Sequence, residues 1–207
     1  MIIIGAGGFA KELIEAVSST DLNAGVRFFD ETRSDNDRLF LDRYPIINSW
    51  EELKTALDDL PDFALGLGGP SNREKLFLKS LDMGGKPSSV ISSHAFIGTH
   101  DILIDEGATI LHQATVANGV KIGKGALIYH NVQITHDCEI GDFCEFSPGA
   151  TLLGKVAIGD KVQVGANATI LPGIKIGNNV IIGAGAVVTK DIPDNTTVAG
   201  IPAKVII

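Results

Sequence analysis

The sequence predicts a two-part fold: a small Rossmann-like α/β unit with a three-stranded parallel sheet over residues 1–85, then a parallel β-helix over residues 86–207. Three observations carry this. From Ile104 to Val188 every sixth residue is large and apolar, without a break. Four positions after each comes a small or short-branched residue, from Ala108 to Ala186, with Ile174 the exception. Residues 1–85 lack that period and alternate short apolar runs with helical spacing.

In the first unit, "MIII" and "VRFFD" read as strands. "GFAKELIEAVSS" is helical between them, with Phe9, Leu13, Ala16 and Val17 on one face. Ser49-x-x-Glu52 and Ser71-x-x-Glu74 are capping boxes, which place helix starts there. "DFALGLG" between those helices is the third strand, giving a βαβαβα unit. The boundary falls in the breaker-rich "MGGKPSS", residues 83–89.

A step of six is the signature of a triangular coil of about eighteen residues, one large inward residue per side. No coil buries its own face, so stability comes from stacking at about 4.8 Å per rung. Residues 104–188 supply about five coils. Ile91, Ile97 and Leu103 step by six but out of phase. They predict a rudimentary first coil joined through a one-residue slip near His100. The tail "KDIPDNTTVAGIPAKVII" is expected to leave the repeat at Pro193 and cap the last coil.

Composition narrows the function. Apolar residues make up 44%, aromatics 6%, and Gly counts 24, so the chain is aliphatic and glycine-rich. A net charge of −8 argues against nucleic acid and against an anionic membrane surface. Residues 151–207 hold five Lys and three Asp, a mildly basic stretch suited to an anionic ligand. The opening apolar run is too short for a signal segment or a membrane span, and a cytoplasmic location is expected. Cys138 and Cys144 have no metal-site spacing. They fall on the small position of the repeat and read as buried, reduced thiols.

Positions eighteen apart stack in columns. Asn118, His136, Gly154 and Pro172 form one, and His112, His130, Pro148, Ala166 and Ala184 another. Gly154 then lies one rung from His136. A glycine there lets a ligand approach and leaves its N–H open. An imidazole base beside a free N–H is what acyl transfer needs: one takes the proton of the nucleophile, the other stabilises the oxyanion. Asp137 is the natural partner to orient His136. Neighbours on a flat strand point apart, so the two can meet only near a corner. "GAGGFAKE" opens a helix after a strand, where Gly5, Gly7 and Gly8 let N–H groups face a phosphate. Asp30 ends the second strand, a usual place for a ribose- or base-binding acid.

Together these motifs resemble the bacterial nucleotide-sugar N- and O-acetyltransferases of the bacillosamine, perosamine and sialic acid types. The resemblance runs from "IIIGAGGFAKE" to "IGAGAVVTKDIP" and "AGIPAK". It implies a left-handed β-helix, a homotrimer with active sites between subunits, and acetyl-CoA as cosubstrate without a metal. By resemblance His136 is the general base, Asp137 its partner, and Gly154 the donor to the thioester carbonyl. Ala166 and Ala184 line the pantetheine path. Gly7, Gly8 and Phe9 hold the diphosphate of a nucleotide-linked amino sugar, Asp30 and Glu31 lie by the base or ribose, and Gly68 and Gly69 complete that pocket. The chain departs from the pattern at three positions. Glu145 stands where some members place a second His near the acetyl group, and it is counted with the acetyl-CoA set. Phe9 replaces a His found in some members, and His130 replaces a common Asn.

The leading reading is N-acetylation of the sugar amine by direct attack in a ternary complex, in surface glycan biosynthesis. O-acetylation of a sialic acid-like sugar is the alternative. Other classes on this scaffold are a metal enzyme using His112, His130 and His136 across a subunit interface, and a non-catalytic nucleotide-binding trimer.

Overall fold

The structure is a computed structural model and describes residues 1–18, 25–34 and 38–206. In chain order its first unit runs β1 (Ile2–Ile4), α1 (Gly8–Ser18), β2 (Arg27–Phe29), β3 (Leu39–Phe40), β4 (Tyr44–Ile47), α2 (Trp50–Asp59), β5 (Asp62–Leu65), α3 (Pro70–Asp82) and β6 (Lys86–Pro87). Ser19, the end of the helical run in the sequence, lies outside the described residues. The three expected strands pair in parallel at the centre, β2 and β5 flanking β1. The sheet is wider than expected. β4 adds to β2 and β6 to β5, both parallel, and β3 closes one edge antiparallel to β4. β3 and β6 are too short for a period to show in the sequence, and the four residues of β4 do not alternate.

The capping box at Ser49 forms: its Oγ accepts the Glu52 N–H at 3.2 Å. The one read at Ser71 does not. α3 starts two residues earlier than that cap implies, at Pro70, with Gly69 as N-cap at φ 83°. The fixed φ of Pro70 preorganises the first turn, so Ser71 is already helical.

The second unit is a left-handed β-helix whose sides form three sheets of very short parallel strands. Rungs stack in register, Ile128 on Phe146, Ile134 on Leu152, Ile140 on Ile158, and this inward row is buried from Ile110 to Val188. Every sixth residue from Asp101 to Gly185 has φ between 53° and 75°, so every corner holds one left-handed residue. Gly, Asn and Asp fill most of these places, as their steric freedom predicts.

The phase slip sits where the sequence placed it. Ile91 pairs with Ile110 and Ile97 with Val116, one residue more than the step from Ile104 to Ile122. The extra residue lies in the corner before Ile104. Asn118 Oδ1 holds that corner by accepting the N–H groups of Thr99 and His100. Leu103 is a correction: it points outward, 53% exposed, and Ile104 takes the inward place. The tail is another. The coil continues past Pro193, with Ile192 bridged to Ile176 and Val198 paired with Ile182. This last turn is two residues shorter, which breaks the step of six. The side chains of Asp191 and Asp194 close it by accepting the N–H groups of Lys175 and Asn178. Lys204–Val205 then folds back antiparallel as the cap.

The α/β unit covers the first side of the prism. The outward residues there, Thr109, Leu127 and Glu145, are buried, whereas Lys121, Glu139 and Lys175 on the third side are exposed. α3 packs along the corner between third and first sides, with Phe77 edge-on to Phe143 at 5.3 Å and Glu74 paired to Lys161 at 3.0 Å. α1 meets the corner between first and second sides. There Phe9 touches Tyr129 at 5.2 Å, and Glu12 reaches His130 Nε2 at 3.2 Å. Among the described residues no helix is long and apolar enough to cross a membrane.

Candidate functional site

The first group of candidate residues surrounds a cleft at the carboxyl ends of β1, β2 and β5, the usual ligand position in a parallel sheet. Gly5 turns the chain at φ 107°, and a Cβ on it would lie 2.9 Å from the Gly66 carbonyl oxygen. Glycine at this point is a packing requirement, and its N–H donates to the Phe29 carbonyl at 2.7 Å, so it does not face a ligand phosphate as the sequence suggested. A Cβ on Gly7 or Gly8 would meet nothing, so the start of α1 faces open space. Gly5, Gly7, Gly8, Phe9, Asp30, Glu31 and Gly68 all line this cleft of ≈ 360 Å³. Gly69 lies just beyond it as the α3 cap.

The acids are held in place. Asp30 Oδ2 accepts the Ala6 N–H at 3.0 Å, and its Oδ1 accepts from the N–H and hydroxyl of Thr32. Its carboxylate therefore ties the glycine-rich turn to the end of β2. Glu31 accepts from the Trp50 indole N–H, and Lys79 lies 3.2 Å from that ring's centroid. Leu67, Leu76 and Thr32 complete the cleft without any signal in the sequence.

The second group sits on the coil. His136 Nδ1 is 2.9 Å from Asp137 Oδ2, and both side chains are exposed. They meet because Asp137 is one of the left-handed corner residues, at φ 60°. A carboxylate only accepts, so in the neutral imidazole Nδ1 carries the proton and Nε2 keeps its lone pair. Gly154 lies directly against the ring, since a Cβ there would be 2.5 Å from both Cε1 and Nε2. Neighbouring N–H groups in this corner are used, Leu153 donating to Ile170 and Lys155 to His136. The N–H of Gly154 has no partner among the described residues.

Not all candidates come together. The corner of His136 lies between the second and third sides, opposite the first side that carries the cleft. Ala166 and Ala184 stack on the corner between first and second sides, Gly185 donating its N–H to the Ala166 carbonyl at 2.8 Å. Glu145 is buried on the first side, where its Oε2 accepts the Gly69 N–H at 2.6 Å. His112 and His130 stack at 5.7 Å between ring centroids, on a different corner from His136. Among the described residues no group of three or more His, Cys, Asp or Glu could hold a metal ion. Both cysteines are buried and free, and burial pushes the Cys144 thiol up to about 12.

Residues 1–79 match the PglD N-terminal domain, and residues 119–154 and 155–190 match the bacterial transferase hexapeptide repeat. WeeI from Acinetobacter baumannii AYE is 30% identical, with a TM-score of 0.90 over 99% of this chain and 98% of that one. The chain belongs to the hexapeptide transferases with a PglD-type N-terminal domain. Two further members of this transferase family are solved relatives of the same length class. The acetyltransferase domain of PglB from Neisseria gonorrhoeae FA1090 is 29% identical, with a TM-score of 0.91 over 99% of this chain and 98% of its own. PerB from Caulobacter crescentus, solved with CoA and GDP-perosamine, is 29% identical, with a TM-score of 0.89 over 99% and 95%. No curated protein sequence matches this transferase chain.

Proposed function

We propose that this transferase moves the acetyl group of acetyl-CoA to the amine of a nucleotide-linked amino sugar. The observation that carries the reading is the His136 ring, oriented by Asp137 on one nitrogen and resting against Gly154 with the other. Similarity to a gonococcal domain solved with acetyl coenzyme A and to PerB solved with GDP-perosamine supports both substrates.

In this reading the sugar nitrogen attacks the thioester carbonyl carbon while His136 Nε2 takes its proton. The negative charge that develops on the carbonyl oxygen is met by the Gly154 N–H. The carbon–sulfur bond then breaks, and the proton passes from the imidazolium to the CoA sulfur. The products are the N-acetyl sugar and free CoA, and neither buried thiol is needed. Ala166 and Ala184 leave room for the pantetheine arm. Gly7, Gly8 and Phe9 hold the diphosphate, with Glu31, Gly68 and Gly69 around the rest of the nucleotide. Within one chain the cleft and His136 lie on opposite sides of the prism. The site is therefore completed by a second copy, which fits a homotrimer with three sites between subunits.

The test is acetyl transfer from labelled acetyl-CoA to UDP-, GDP- and dTDP-linked amino sugars. One of these should be acetylated on nitrogen, and His136→Ala should lower kcat by at least about 10² while the trimer and CoA binding persist. Unchanged kcat in that variant would remove His136 from the role of base.

A further inference from the structure

The α/β unit is bound to the coil by a buried polar connection next to the cleft. Arg73, in the first turns of α3, is wholly buried. Its Nε donates to the Gly125 carbonyl at 2.9 Å and its Nη2 to that of Ala126 at 3.5 Å, both on the coil. Its Nη1 donates to the carbonyl of Leu67 at 2.8 Å, in the loop that walls the cleft, and to that of Leu65 at 3.3 Å, at the end of β5. From the coil side, Glu145 reaches into the same loop. It accepts the Gly69 N–H, and a Cβ on Gly68 would lie only 3.2 Å from its Oε2. Within the loop Gly66–Gly69 the Arg73 guanidinium thus holds the Leu67 carbonyl, the Arg73 N–H holds the Gly69 carbonyl at 2.9 Å, and Glu145 holds the Gly69 amide. Around this connection the chain accepts a strained corner. Phe143 is a bulky residue at φ 54°, where Gly or Asn is favoured, and its ring is buried against Phe77.

We infer that Arg73 and Glu145 are positioning residues for the nucleotide cleft: together they clamp the Gly66–Gly69 wall to the β-helix and so set the cleft's shape and its place relative to the coil. An anchor for a domain interface alone would not need two buried groups, one from α3 and one from the coil, to grip a loop that lines the cleft. Neither group is a catalytic residue, because the hydrogen bonds of both go to the protein's own backbone. The inference rests on the proposed function only for the identity of the nucleotide ligand.

Glu145 provides the test, since removing the buried guanidinium risks the fold itself. Glu145→Asp retracts the carboxylate from Gly69, whereas Glu145→Gln keeps the reach and an accepting oxygen. UDP, GDP and dTDP are first titrated calorimetrically into the full-length protein. Glu145→Asp should weaken the preferred nucleotide by about tenfold, Glu145→Gln by less, and the KM for acetyl-CoA should stay within about twofold in both. An unchanged nucleotide affinity in Glu145→Asp would overturn the inference. So would a parallel rise in the acetyl-CoA KM, which would put Glu145 at the thioester, or a wild type that binds none of the three. Nucleotide binding without any acetyl transfer would instead sink the proposed function, and the affinity ratio would still decide the clamp.

Discussion

At Gly154 a single methyl group would lie 2.5 Å from two atoms of the His136 ring. Its φ is not in the left-handed region, so the demand is for space and not for backbone freedom. Gly154→Ala should therefore push the imidazole off its position while leaving the coil folded. A misplacement of about 1 Å is worth up to about 10² in rate, so kcat should fall at least tenfold with the sugar-nucleotide KM little changed. Steady-state kinetics on both substrates checks this; a wild-type kcat would mean the ring's position is immaterial. At this scale the sequence was informative about His136 and Gly154, because columns follow from counting. It could not show how His136 and Asp137 meet, which depends on the left-handed turn at residue 137. Arg73 left no trace at all. Its role follows from four carbonyls, two of them more than fifty positions away in sequence.

Among the elements, the corner between first and second sides carries three stacked imidazoles, His94, His112 and His130, at 5.3 and 5.7 Å between centroids. Burial pushes the His112 pKa down, and the neighbouring His130 and His94 push it further, against Glu15, which raises it. Ser92 Oγ also bonds its Nδ1, and Glu12 from α1 meets His130. The sign follows from linkage. With the folded value below the unfolded 6.5, the unfolded chain binds the proton more readily on acidification. The stability His112 contributes is full above about pH 6.5 and lost as the pH falls through its folded value. His112→Asn should flatten the fall of Tm between about pH 7 and pH 5 relative to the wild type. Equal slopes in a calorimetric series would contradict it. The strands that build these corners were legible from their inward residues. The widening of the α/β sheet and the start of α3 were not, since β3 and β6 are two residues long, the four of β4 do not alternate, and Pro70 overrides the Ser71 signal.

For the molecule as a whole, the cleft lies over one side and His136 at the opposite corner, so the proposed function calls for a site shared between two chains. Two inactive variants altered on different corners should then rescue each other. Co-expressed His136→Ala and Ala166→Trp chains should form mixed trimers with about a quarter of wild-type activity, because some interfaces pair two unaltered surfaces. Each variant alone should stay near background. Absence of rescue, with mixed trimers demonstrated by mass, would place the whole site within one chain.

The order of sides around the prism separates what each source of information decided. The sequence alone determined the β-helix, the parallel α/β unit and the neighbouring of His136 with Gly154, because a fixed step of six repeats the same local geometry and makes long-range contacts countable. Only the tertiary structure decided which side the α/β unit covers, that Glu145 turns into the Gly66–Gly69 loop, and that the cleft and His136 face away from each other. Those contacts join segments with no common period, so packing and buried polar groups select them and no pattern along the chain records the choice.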